Sequence, residues 1–373
     1  MKRHPWLRHL VWVCLLSFLL LPVLIGVEAA SSWHCDVEGE IHPPVPQSQK
    51  SKAVTAGIKD YGRPEDDTYL SYPEWYIVWS YQEKADVQEN HLPSAFPYFG
   101  AARQYWNCYA CISRLTRGKY AFNGGEHLML VVIGASFSAE YLLKGVYEKT
   151  VGRLSEMTSG HQPVEEDLYA YKVAREYADF VHVRPFYEFR FASHVKGLWS
   201  ETPLWGAHPL RKLERKVFLT ADYAIEAFYC WLIEKATHAT YGREPAETYA
   251  WIDNADEMLF QQLPSVRKVS QVGPRSFLVS VPRYQEFTSV ASSFADRGVQ
   301  FDEIAGNSQI LVSVLAARSW HYNHSDARQL FSIPILTHPE VKRIVLGCDV
   351  TSLNAMLHTL EAGGVTVEHI YDY

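Results

Sequence analysis

The chain lacks the short motifs that usually announce an enzyme. No Walker A loop, Rossmann glycine fingerprint or HExxH occurs, so phosphate-cradling loops and the common zinc-protease pattern are excluded. Glu-x-x-His is missing as well, which removes the ligand pairs of a ferritin-like dimetal centre. Gly134-Ala135-Ser136-Phe137-Ser138 comes nearest to a nucleophile elbow, but it lacks the closing glycine and falls in a helical stretch. A basic excess is also absent: 35 Lys and Arg stand against 42 Asp and Glu, a net charge of −7, which argues against a nucleic-acid partner. Cysteine is scarce. Of the six, Cys14 lies inside an apolar run, and the five others are an odd number that cannot all pair within one chain.

What is present is ordinary globular material with an unusual supply of rings. Hydrophobic residues make up 47% and charged residues 21%, which excludes a disordered chain. Phe, Trp and Tyr reach 14%, enough to build a core, a binding cleft or a membrane-facing belt.

The amino terminus carries Lys2, Arg3 and Arg8 ahead of an apolar run over residues 10–27. That order marks an export signal or signal anchor whose amino end stays in the cytoplasm. The run exceeds the ~7–15 residues of a signal core and approaches the ~20 of a spanning helix. We therefore expect a membrane anchor through residues 10–27, with the body in the periplasm or cell exterior; secretion after cleavage near Ala29 and Ala30 is the alternative. Residues 31–66 include His42-Pro43-Pro44-Val45-Pro46 and read as an extended tether.

Residues 67–262 read as a mainly helical, aromatic-rich domain. Ser71-Tyr72-Pro73-Glu74 has the pattern of a capping box. Tyr72, Trp75, Tyr76 and Trp79 then recur at helical spacing, which places them on one face; a core face outweighs a stacking cleft. A helix is expected from about Glu126 to Arg153, its Glu140, Lys144 and Glu148 forming a salt-linked ridge. Residues 180–191 alternate like an extended segment. A long helix from about His208 to Tyr241 opens with Arg211, Lys212, Arg215 and Lys216, which read as a solvated face, and carries Asp222 and Glu226 one turn apart, read as a hydrated stripe. The apolar stretches 128–143 and 217–233 are too short and too acidic for spans, and read as buried or partly buried helices, with peripheral membrane contact the alternative.

From residue 274 the texture changes to short strands alternating with helices. Strands are expected over 276–281, 300–305, 309–316, 330–336, 342–349 and 365–371. A hairpin is expected across Gly306-Asn307, and helices follow Pro282 and precede Gly363-Gly364. The order resembles a ferredoxin-like α+β sandwich with extra strands over residues 274–373, a fold that carries no function with it. The expected class is therefore α+β.

Two constellations carry possible chemistry. Cys108-Tyr109-Ala110-Cys111 has redox spacing, with Arg103, Arg114 and Arg117 nearby to favour a thiolate. His321, His324 and Asp326 fall on one polar loop and are candidate metal ligands. Neither outweighs a structural reading, and no cofactor is expected. The leading expectation is a non-enzymatic binding or accessory protein with a protein partner or small ligand; the alternative is a thiol-disulfide oxidoreductase using Cys108 and Cys111.

Overall fold

The computed structural model describes residues 25–26, 29–30, 35–43, 47–58, 61–240 and 246–373. The amino-terminal apolar run lies outside them except for residues 25–26. The class is α+β: helices form the first half and, among the described residues, two four-stranded antiparallel sheets form the second.

The helical body comprises α1 (Gln49–Thr55), α2 (Asp67–Leu70), α3 (Tyr72–Asn90), α4 (Tyr98–Thr116), α5 (Gly124–Tyr147), α6 (Arg153–Thr158), α7 (Glu165–Val181), α8 (Phe191–Glu201) and α9 (Pro209–Thr240). A π-helical turn, Glu148–Gly152, joins α5 to α6. The expected capping box does not form. Ser71 is itself helical and its hydroxyl donates to the Thr68 carbonyl, because α2 runs almost directly into α3. The segment 180–191 is likewise not extended. It is the end of α7, a turn, a 3-10 helix over Phe186–Glu188 and the start of α8, and its alternating rings pack around Tyr177.

The second body begins earlier than residue 274. Its first sheet contains β1 (Glu247–Asp253), β2 (Arg267–Gly273), β3 (Ser276–Pro282) and β4 (Gln300–Ile304), in the order β2-β3-β1-β4. The second contains β5 (Gln309–Ala317), β6 (Arg328–Pro334), β7 (Val341–Asp349) and β8 (Thr366–Ile370), in the order β6-β7-β5-β8. In the chain α10 (Leu259–Gln262) follows β1, α11 (Gln285–Asp296) joins β3 to β4, and α12 (Leu353–Ala362) joins β7 to β8. The turn at Gly306-Asn307 closes, with reciprocal bonds between Ile304 and Asn307, but its strands do not pair: β4 joins β1, and β5 joins β7 and β8. The expected hairpin is instead the crossing from one sheet to the next.

The two sheets repeat one design. Each is three strands, a helix and a fourth strand, with the first strand between the third and fourth. Phe287, Val290, Ala291 and Phe294 line α11, and 66 positions later Leu353, Met356, Leu357 and Leu360 line α12; all eight are buried. Gly298 and Gly364, both at positive φ, then turn the chain into Val299 and Val365. Strand alternation splits the burial. Ile310, Val312 and Val314 of β5 face one common core with α11, α12 and the first sheet, whereas Leu311 faces the helical body.

The two bodies are joined tightly. Tyr72, Trp75 and Trp79 of α3 lie on the outer face of the second sheet, with Trp75 stacked on His369 at 3.5 Å and Tyr72 edge-on to Phe331 at 5.2 Å. Burial holds the His369 imidazole neutral. The Arg343 guanidinium sits 4.1 Å over Trp79 between Glu83 and Glu368. The segment read as a tether touches the body at several of its described residues. Ser51 of α1 donates to Glu303 at 2.6 Å, Tyr61 packs on Trp251 and Leu278, and the Glu38 amide donates to the Leu330 carbonyl.

Candidate functional site: a buried ionic web between two long helices

Helices α5 and α9 run antiparallel. Lys144 meets Asp222 and Glu226, Tyr147 stacks on Phe218 at 3.9 Å, and Ser155 meets Glu214, so partners descend along α9 as residues ascend along α5 and α6. The seam between them is ionic. Lys144 Nζ lies 2.8 Å from Glu140, 3.0 Å from Asp222 and 3.1 Å from Glu226. One turn onward, Arg215 reaches Glu148 at 2.8 Å and Asp167 at 3.0 Å, while Arg211 holds Asp167 at 2.8 Å and Glu214 at 3.0 Å. Lys212 and Lys216 converge on Glu166 at 3.2 and 3.3 Å.

These contacts reverse two expectations. The basic group Arg211, Lys212, Arg215 and Lys216 is not a solvated face, since none of the four is more than 1% exposed. Asp222 and Glu226 are not a hydrated stripe but partners of Lys144. The cause is pairing: α5 to α7 supply a carboxylate for nearly every buried cation, and an isolated buried charge would be far too costly. Of the expected ridge, Glu140 and Lys144 do pair, whereas Glu148 turns to Arg215.

Beside the Lys144 group lies a chamber of about 50 Å³, lined also by Lys84, Gln88, Tyr98, Tyr177 and Tyr223. It has room for a few waters at ~10–15 Å³ each. Burial, with Glu140 and Asp222 close by, holds the Glu226 carboxyl up at about 7. Burial and the Lys144 ammonium draw Lys84 below its ordinary value. The Tyr81 hydroxyl donates to Glu140 at 2.7 Å. Chemically, the chamber can exchange a proton at Glu226 near neutral pH and hold water against fixed charges.

The other candidate residues are not brought together as expected. Cys111 is bonded to Cys35, tying the amino-terminal segment to α4, while Cys108 is a separate buried thiol that burial pushes well above its ordinary value. The two therefore do not form a redox pair. His321 and His324 are exposed, and Asp326 accepts from the Tyr322 and Thr359 hydroxyls instead of joining them. Among the described residues no group of three or more His, Cys, Asp or Glu is placed to hold a metal. Comparison with protein-family models, curated proteins and solved structures finds no match to this chain.

Proposed function

We propose that the chain is a membrane-tethered extracytoplasmic protein with a binding or accessory role, its partner a protein or a small ligand. The observation that carries this reading is the Cys35–Cys111 bond. Disulfides persist in oxidising compartments, and this one follows a basic, then apolar, amino terminus. The rival reading, thiol-disulfide exchange at Cys108 and Cys111, loses support because one sulfur is committed to Cys35 and the other is inaccessible. A ferredoxin-like relationship remains a proposal for the layering of the second body, antiparallel strands with helices on one face, and that scaffold hosts binding as readily as chemistry.

Protease protection on sealed membranes, paired with thiol alkylation before and after reduction, tests the proposal. The body should lie on the extracytoplasmic side, and Cys35 and Cys111 should alkylate only after reduction. A soluble cytosolic chain with both thiols free contradicts it.

A further inference from the structure

The outer surface of the α5–α9 pair is as apolar as its seam is charged. Continuous with α6, the helix Gly124–Thr158 is long and apolar enough to cross a membrane, yet only a third of its most apolar stretch is buried. Leu128, Val132, Leu143, Val146 and Leu154 recur along its exposed side at helical spacing. On α9 the exposed positions include Leu210, Leu213, Val217, Ile225, Phe228, Trp231 and Leu232, again one stripe. Because the helices are antiparallel, each turns its stripe to the same side of the ionic seam and its other flank to the body. Together they make one apolar face about 33 Å long, at 1.5 Å per residue. Up to residue 235, the exposed charges on the two helices are Arg153 and Lys235, which fall toward opposite ends. Trp199, Leu204 and Trp205 add exposed apolar surface beside the start of α9.

A soluble monomer rarely exposes such a face. We infer that the α5–α9 face lies in the plane of a lipid bilayer, its stripe sunk into the headgroup-acyl boundary. A transverse span is ruled out by the neighbours. Helix α4 packs along α5 and exposes Arg103 and Arg114, and α7 packs against α9 and exposes Lys172, Glu176 and Asp179. Threading the pair through hydrocarbon would drag those charges in, at ~2.5–3.5 kcal/mol each. Lying flat, by contrast, immerses the stripe to a depth of ~5–10 Å and leaves every other face wet. The long stems of Arg153 and Lys235 can then reach the phosphates. The inference does not depend on whether residues 10–27 are retained, since the face is a second and separate point of contact.

The test uses the full chain with single cysteines at Val146, Val217 and Phe228, and control cysteines at Lys172 and Glu176 of α7, each carrying an environment-sensitive fluorophore. Vesicles of phosphatidylcholine doped with phosphatidylglycerol contain nitroxide lipids, and iodide serves as the aqueous quencher. The three face positions should be quenched several-fold more by nitroxide than by iodide, all at one shallow depth, and the controls should show the reverse. The doubly charged variant Val217→Lys/Phe228→Lys should keep its circular dichroism and Tm but lose that lipid quenching. Equal iodide quenching on both sides would overturn the inference. So would depth graded from one end of the helices to the other, which marks a span, or shielding from both quenchers in a particle of dimeric mass. Loss of the extracytoplasmic location would leave this result untouched and fall on the export reading alone.

Discussion

The two halves of the molecule solve opposite burial problems. Between the sheets, aliphatic and aromatic side chains from β1, β3, β5 and β7 meet α11 and α12 in a core with its charges at the margins. In the α5–α9 pair the seam reverses that polarity: cations and carboxylates lie inside it, beside buried Phe137, Tyr141, Leu219 and Tyr223, while leucine, valine and phenylalanine face out. Both have the three-and-four spacing of an amphipathic helix, and periodicity alone does not say which stripe turns inward. The difference lies in whether the polar stripe finds buried partners. On α9 it does.

The largest effect should follow from breaking that pairing. Arg215→Leu strips the buried Glu148 of its cation and leaves Asp167 to Arg211 alone, and should cost about 3–5 kcal/mol in urea unfolding. Its neighbour Val217→Ser, on the exposed stripe, should stay within about 0.5 kcal/mol in detergent-free buffer. A conventional helix would give the opposite ranking. In the two-sheet body the ordinary rule should hold, so Leu360→Ala in α12 should cost about 2–5 kcal/mol. Cys35→Ser, which frees the amino-terminal segment from α4, should cost about 2–4 kcal/mol.

Much of this was legible in the sequence, and the gaps have physical causes. The extents of α5 and α9, the strands β3 and β7, and helices α11 and α12 with Gly298 and Gly364 behind them follow from local pattern and punctuation. What escaped was non-local. β1 carries Tyr249, Trp251 and Ile252, good strand formers, but its partners β3 and β4 lie decades of residues onward and a helical segment precedes it. Placing it in the helical domain also hid the repeat, although the four buried positions of α11 and α12 and the Gly-Val that follows each recur 66 residues apart. A fragment starting at residue 274 therefore lacks two strands of its first sheet and should not melt cooperatively. The ionic web was missed for a different reason: four cations on one helix look solvated until carboxylates from three other helices are placed against them. The CxxC spacing drew attention to Cys108 and Cys111, while the actual bond reaches 76 residues back to Cys35.

A further expected effect is one of pH. Burial raises the Glu226 carboxyl from 4.5 to about 7, so the folded chain binds a proton that the unfolded chain releases between those values. Stability from this group is thus gained as pH falls from 7 toward 4.5, and its ionisation is a penalty above 7. Glu226→Gln should raise the Tm at pH 8 and lose that advantage by pH 4.5. A constant offset across the range would show that Glu226 is ionised throughout and acts only as a partner of Lys144.

Reversed polarity is tested most directly on the unaltered protein by amine acetylation under native conditions, read residue by residue by mass spectrometry. Lys144, Lys212 and Lys216 should remain unmodified until the chain is denatured, while Lys172 and Lys196 react at the rate of free lysine. Fast modification of Lys212 and Lys216 in the native state would return the basic group to a solvated face and contradict the account.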